Sequence, residues 1–256
     1  MNFCLVILGV TSLGFVSTKE EPLIIELLDN RILGGEDANI CDNPHQASVQ
    51  YWGGHYCGGV IIGPKWVLTV ANCIVGFEVL YISVKVGTSN KDAGGQIIRV
   101  KNAYSHPKYN SSTFDYDVGL LELHSEIKVP CASPVSLPNP NTQLVEGSTG
   151  VVTGWGRKTE GGPVVNHLQV LQIPILSPKA CRDAYGESTF TERMVCAGLL
   201  KGSKDVCSGD SGGPLMVDKM LIGLVSWGYG CARPTYPSVY TNVAAFRTYI
   251  TEITGI

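Results

Sequence analysis

An all-β fold is predicted by two features of this chain: short runs rich in Val, Ile, Leu and Tyr, and glycine or proline clusters that interrupt them. The turn signals fall at Gly53-Gly54, Gly58-Gly59, Gly63-Pro64, Gly94-Gly95, Pro138-Asn139-Pro140 and Gly161-Gly162-Pro163. Between them lie Val60–Ile62, Val67–Val70, Tyr81–Val86, Ile97–Val100, Val151–Thr153, Leu168–Pro174 and Leu221–Ser226. Short strands separated by turns pack as a sandwich or a barrel. No strand–helix alternation points to a parallel sheet. One helical pattern closes the chain, where Val243, Phe246, Ile250 and Ile253 recur at steps of three and four with polar residues between.

Length and composition bound the rest. The chain has 256 residues, 44% hydrophobic and 16% charged, enough to bury a large core. A formal net charge of −3 leaves no basic excess, which argues against nucleic acid or an anionic membrane as partner. Residues Leu5 to Val16 form a short apolar run ending in small residues, which reads as a secretory signal over residues 1–17 and is too short to span a membrane. Cleavage after Gly14 and cleavage within Ser17-Thr18 both fit. The expected product is a soluble extracellular monomer. Of nine cysteines, Cys4 falls in the signal, and the remaining eight imply a disulfide framework in a secreted chain. Metal ligation is the poorer reading, because no paired Cys-x-x-Cys spacing occurs. No metal or other cofactor is expected.

Three segments carry chemistry. Gly209-Asp210-Ser211-Gly212-Gly213-Pro214 surrounds a serine with glycines, Asp115-Tyr116-Asp117-Val118-Gly119-Leu120-Leu121 sets a carboxylate before an apolar run, and Trp66-Val67-Leu68-Thr69-Val70-Ala71-Asn72-Cys73 ends a strand in an amide. Together they resemble the trypsin-like serine proteases, and the similarity runs from Ile32 to the end. It implies two antiparallel six-stranded β-barrels of the chymotrypsin-like type, meeting at a cleft, with a C-terminal α-helix. In that family the residue before Cys73 is the catalytic histidine. Here it is Asn72, which has a carbonyl acceptor and an NH₂ donor but no site that takes a proton near neutral pH. An amide cannot activate a serine hydroxyl.

The resemblance assigns the other positions. Ser211 is the nucleophile position, and the amides of Gly209 and Ser211 are the oxyanion-hole donors. Asp117 orients the base and Ser226 bonds it; without an imidazole, Asp117 is expected to accept a bond from the Asn72 NH₂. Asp205 corresponds to the carboxylate that selects Arg and Lys, but Val206 stands where trypsins have Ser or Ala, and Ser238 where they have a wall glycine. Both add atoms to a pocket whose other members are Trp227 and Gly228. Trp227-Gly228-Tyr229-Gly230-Cys231 looks intact as a strand that binds substrate backbone edge to edge. The resemblance also implies the disulfides Cys57–Cys73, Cys181–Cys196 and Cys207–Cys231, leaving Cys41–Cys131.

Arg31-Ile32-Leu33-Gly34-Gly35 resembles a zymogen activation site, which makes residues 18–31 a propeptide and 32–256 one protease-type domain. Cutting after Arg31 would free an Ile32 amine to pair with Asp210. Asn110-Ser111-Ser112 is an N-glycosylation sequon on a loop that borders the cleft by family position. None of the five histidines sits at the base position: His55 looks like a scaffold residue behind the nucleophile loop, His106 a surface-loop residue, and His45, His124 and His167 carry no catalytic reading.

The Trp227-to-Val243 stretch and the placement of Cys41 look most like arthropod digestive trypsins of the mite group 3 allergen type and their inactivated paralogues. The leading expectation is a secreted, inactive homologue that binds proteins or peptides, such as protease inhibitors or host defence-cascade proteins, as decoy or regulator. The alternative is a working endopeptidase cleaving after Arg or Lys. A third reading is a structural or storage scaffold.

Overall fold

A computed structural model describes residues 35–202 and 205–256. The expected signal, propeptide and Arg31-Ile32 junction lie outside the described residues. Among the described residues, thirteen strands form two antiparallel sheets. The first is a closed barrel of β2 (Gln46–Tyr51), β3 (Gly54–Gly63), β4 (Trp66–Thr69), β5 (Ile82–Val86), β6 (Gln96–Ser105) and β7 (Gly119–Leu123), in the order β2-β3-β4-β7-β6-β5. The core built on its two faces includes the fully buried Val60, Val67, Leu68, Val84, Leu120 and Leu121. Each such aliphatic side chain contributes about 1.5–3 kcal/mol by leaving water.

The second sheet differs from a plain six-stranded barrel by one added strand. Its order is β1 (Glu36–Asp37), β9 (Gln169–Pro174), β8 (Thr149–Gly154), β11 (Pro214–Val217), β12 (Met220–Trp227), β13 (Ser238–Asn242) and β10 (Met194–Ala197). The six strands from β9 to β10 curl until their ends nearly meet. The seam is held by an isolated bridge between Ile175 and Ala197, with Leu176 N–H donating to Cys196 O at 3.0 Å and Gly198 N–H to Pro174 O at 3.1 Å. Strand β1 adds to the outer edge of β9, pairing Glu36 with Val170. Val152, Leu171, Ile173, Leu215, Ile222 and Tyr240 make its core.

The expected C-terminal helix begins as a 3-10 turn, Val243–Phe246, and continues as α2 (Arg247–Thr254). Val243, Phe246 and Ile250 pack into the core of the first barrel, so the chain's end returns to its first half. A helix the strand pattern does not announce, α1 (Pro178–Tyr185), starts at Ser177, whose hydroxyl accepts the Ala180 N–H at 3.3 Å. Pro178 fits the first turn because its missing N–H had no helical partner there.

All four disulfides form: Cys41–Cys131, Cys57–Cys73, Cys181–Cys196 and Cys207–Cys231. The two halves also meet through polar contacts. Strand β2 turns Gln46 and Ser48, both buried, away from the aliphatic interior. Gln46 Oε1 accepts from Thr153 Oγ1 of β8 at 2.6 Å, and His55, bonded by Ser48 within the first barrel, reaches Gly209 O of the second half.

Candidate functional site

The cleft between the sheets encloses about 760 Å³. One wall comes from the first half, with Asn72 and the Ser112–Phe114 loop. The other comes from the second, with Val206 to Ser208, Ser211, Val225 to Cys231 and Ser238. Among the described residues, no histidine lines it.

Asn72 sits in a single 3-10 turn, Ala71–Cys73, directly after β4, and the Cys57–Cys73 disulfide fixes that turn to β3. The anticipated bond is present: Asn72 Nδ2 donates to Asp117 Oδ2 at 2.7 Å, and the Asn72 backbone N–H donates to Asp117 Oδ1 at 2.8 Å. Ser226 Oγ donates to Asp117 Oδ2 at 2.6 Å. Burial pushes the Asp117 carboxyl above its ordinary value, opposed by the bonds from Ser226, Asn72 and the Ala71 N–H. The carboxylate is thus surrounded by neutral donors. With one N–H of its amide bound to Asp117, the asparagine has a second N–H and its carbonyl oxygen left, and neither takes up a proton at neutral pH.

The Ser211 loop is pinned on both sides. Gly58 N–H of β3 donates to Ser211 O at 2.8 Å, while Gly212 N–H donates to Val225 O and Val225 N–H to Gly213 O at 2.7 and 2.9 Å. Among the described residues, neither the Gly209 nor the Ser211 N–H donates to a protein acceptor. Gly209 needs to be glycine: its φ is +99°, and a Cβ there would lie 3.1 Å from Gly156 Cα and from Val164 Cγ1. His55 lies behind this loop as expected. Its Nε2 donates to Gly209 O at 3.0 Å, which leaves Nδ1 to accept from Ser48 Oγ at 2.8 Å in the neutral ring. Burial lowers the His55 pKa to about 4, so the neutral form dominates.

Asp210 is wholly buried, and burial pushes its carboxyl up to about 6 although the Cys207 and Gly156 N–H groups donate to it. Among the described residues it has no cationic partner; Ile32 lies outside them. Asp205 is also buried, beneath the cleft, with Val206 and Ser238 forming the surface above it. Asn110 is exposed, and Ser112, two residues on, lines the cleft, so the sequon does border it.

His106 lies in the loop directly after β6, half-buried, stacked on Tyr116 at 4.7 Å and packed against Phe246 and Tyr249. The sequence missed a feature beside it. Arg193 Nε and Nη2 both bond Asp115 at 2.8 Å and the guanidinium covers the Tyr116 ring at 4.4 Å, joining the loop before Asp117 to the second sheet. An acidic residue two positions before Asp117 was the available signal, but nothing local could point to Arg193.

Two antiparallel β-barrels sharing a cleft, with a glycine-flanked serine opposite a buried aspartate, define the chymotrypsin-like fold. The chain belongs to the trypsin family, whose model, described as Trypsin, matches residues 32–250. It is 40% identical over 253 residues to a trypsin of Phaedon cochleariae, covering 97% of this chain and 98% of that one. It is 41% identical to Trypsin 5G1 of Aedes aegypti, over 88% of this chain and 86% of the relative. Trypsin Blo t 3 of Blomia tropicalis is 34% identical, over 97% of this chain and 95% of the relative.

Proposed function

We propose that this chain is a secreted trypsin homologue without peptidase activity, which acts by holding protein or peptide segments in its cleft. One observation carries the reading: the position facing Asp117 is an amide whose NH₂ is committed to that carboxylate. Acyl transfer needs a group that takes the serine proton and returns it to the leaving amine. Here Ser211 has the surrounding loop and two unused backbone donors, but no base. The residual acceleration of a cleft stripped of its base is about 10³–10⁴ over water, too slow to process protein.

The binding half of the reading rests on what the cleft keeps. Strand β12 ends at Trp227, and the irregular segment Gly228–Gly230 that continues from it lines the cleft up to the disulfide-anchored Cys231, so only the first residue of the expected peptide-binding strand is in a strand. An extended peptide can add to such an edge through main-chain hydrogen bonds. Suitable ligands are inhibitors with an exposed reactive loop and proteins of proteolytic cascades. Secretion, removal of residues 1–17 and 18–31, an Ile32–Asp210 ion pair and a glycan on Asn110 belong to the same reading. A reactive-loop inhibitor protein tests it by calorimetry and mass spectrometry: binding is expected, with the loop recovered uncleaved after prolonged incubation. Stoichiometric labelling of Ser211 by a fluorophosphonate at the rate of an active trypsin would sink it in favour of a working endopeptidase.

A further inference from the structure

A second groove, of about 1100 Å³, is larger than the cleft and shares no lining residue with it. It opens where the second sheet closes on itself, along Ile175 and Leu176 on one side of the seam and Cys196 on the other. Leu144, Phe246 and Tyr249 extend its apolar lining. Charge on the rim is mixed: Lys108, Arg182 and Arg193 stand against Glu146, Glu192 and Glu252. That balance suits neither a polyanion nor a polycation. It suits an apolar segment that carries both signs. Lys108 is exposed over the Tyr116 ring at 5.6 Å, and among the described residues it pairs with no carboxylate.

Residues 18–31 lie outside the described residues, and their sequence is the complement of that surface. Leu23-Ile24-Ile25-Glu26-Leu27-Leu28 holds five aliphatic residues in six. On a helix Leu23, Ile24, Leu27 and Leu28, spaced i, i+1, i+4 and i+5, share one face, with Glu26 and Asp29 opposite. Four acids, Glu20, Glu21, Glu26 and Asp29, outnumber Lys19 and Arg31, which matches the unpaired Lys108. A continuous aliphatic face of this kind is seldom left in water.

The sheet register points the segment at the groove. Strand β1 runs antiparallel to β9, with Asp37 opposite Gln169 and Glu36 opposite Val170, so residues before Glu36 head towards Pro174 and the seam. There the edge of β9 is taken: Gly198 N–H donates to Pro174 O, and Ile175 bridges Ala197. A chain arriving along this edge has to leave the sheet at Ile175 and Leu176, where the groove begins.

We propose that in the uncut chain residues 18–31 dock in this groove through the Leu23, Ile24, Leu27 and Leu28 face. The docking rests on the division of the chain given above, with residues 18–31 retained when 1–17 are removed. Whether Ser211 turns over peptide does not bear on it.

Hydrogen exchange tests it on the uncut secreted chain and on the same chain carrying Leu23→Asp and Leu27→Asp, changes that lie outside both barrels. Amides of 176–182 and 244–252 are expected to exchange at least about fivefold slower in the natural chain. Equal exchange, or a difference confined to other segments, overturns the docking. A difference that vanishes on dilution means that a second copy supplies the segment, and overturns docking within one chain. Ala245→Glu, at an exposed position in the groove, is expected to abolish the protection, and protection that survives it overturns the groove as the site. Mass spectrometry of the secreted chain reads its first residue; a start beyond Leu28 overturns the docking together with the division of the chain.

Discussion

Replacing Asn72 by histidine is the sharpest perturbation available. Asp117 is held by four donors, of which three survive the change: Ser226 Oγ at 2.6 Å, the backbone N–H of residue 72 at 2.8 Å and the Ala71 N–H. Only the fourth, Asn72 Nδ2 at 2.7 Å, has to be replaced, and an imidazole Nδ1–H on the same backbone supplies an equivalent donor. The buried carboxylate is therefore already in place to orient the ring and favour its protonated form. Loss of the triad histidine costs roughly 10⁶ in kcat, or about 8 kcal/mol at 1.36 kcal/mol per decade. Val206 and Ser238 alter the pocket, so restoration should be partial, and a gain of at least ~10³ in kcat/KM is expected. The assay uses chain cleaved after Arg31 and fluorogenic peptides with Lys or Arg before the scissile bond. Asn72→His combined with Ser211→Ala is the control. The reasoning fails if the unaltered chain hydrolyses these peptides as fast as Asn72→His and Ser211→Ala abolishes both rates.

Other expectations concern stability and processing. Burial holds His45 and His55 neutral down to a pKa of about 4, so each contributes stability that is complete above about pH 6.5 and is lost as the pH falls towards 4. For His55→Asn, urea melts should show a loss between pH 7 and 4.5 shallower than the natural chain's by up to roughly 3 kcal/mol; parallel curves would contradict this. Burial raises the Asp115 carboxyl, but the Arg193 bonds and charge outweigh it and hold it below the usual range. Arg193→Ala should therefore cost about 1–2 kcal/mol at neutral pH for this partly screened pair, with the difference shrinking as acid protonates Asp115. Cys41–Cys131 closes a separation of 90 residues, and changing both cysteines to serine should lower stability by about 2–5 kcal/mol in denaturant titration. Peptide-N-glycosidase treatment of secreted material should shift its mass by one glycan, and Asn110→Gln should remove the shift.

The sequence was most informative where apolar runs and motifs coincide. Val67–Val70 and Leu221–Ser226 fall on β4 and β12, and the Asn72–Asp117 bond follows from two local motifs. Strand β2 was hidden because Gln46, Ser48 and Gln50 are buried polar residues, facing a polar junction that only tertiary structure creates. Helix α1 was missed although Ser177-Pro178 is a helix start signal, since the surrounding turn chemistry blended into the β pattern. Ser238 read from sequence as extra bulk. That its proton goes to Asp205 depends on residues 33 apart in the chain, and no local pattern contains it.

The two ends of the described residues are exchanged between the halves: β1 closes the edge of the second sheet, and α2 seals the first barrel. A chimera that joined the front half of this protein to the rear half of a relative would inherit a mismatched strap at one edge and a foreign plug at the other. Recombination is therefore expected to succeed only when each half travels with the terminal segment that completes it, which ties the evolution of one cleft wall to that of its opposite.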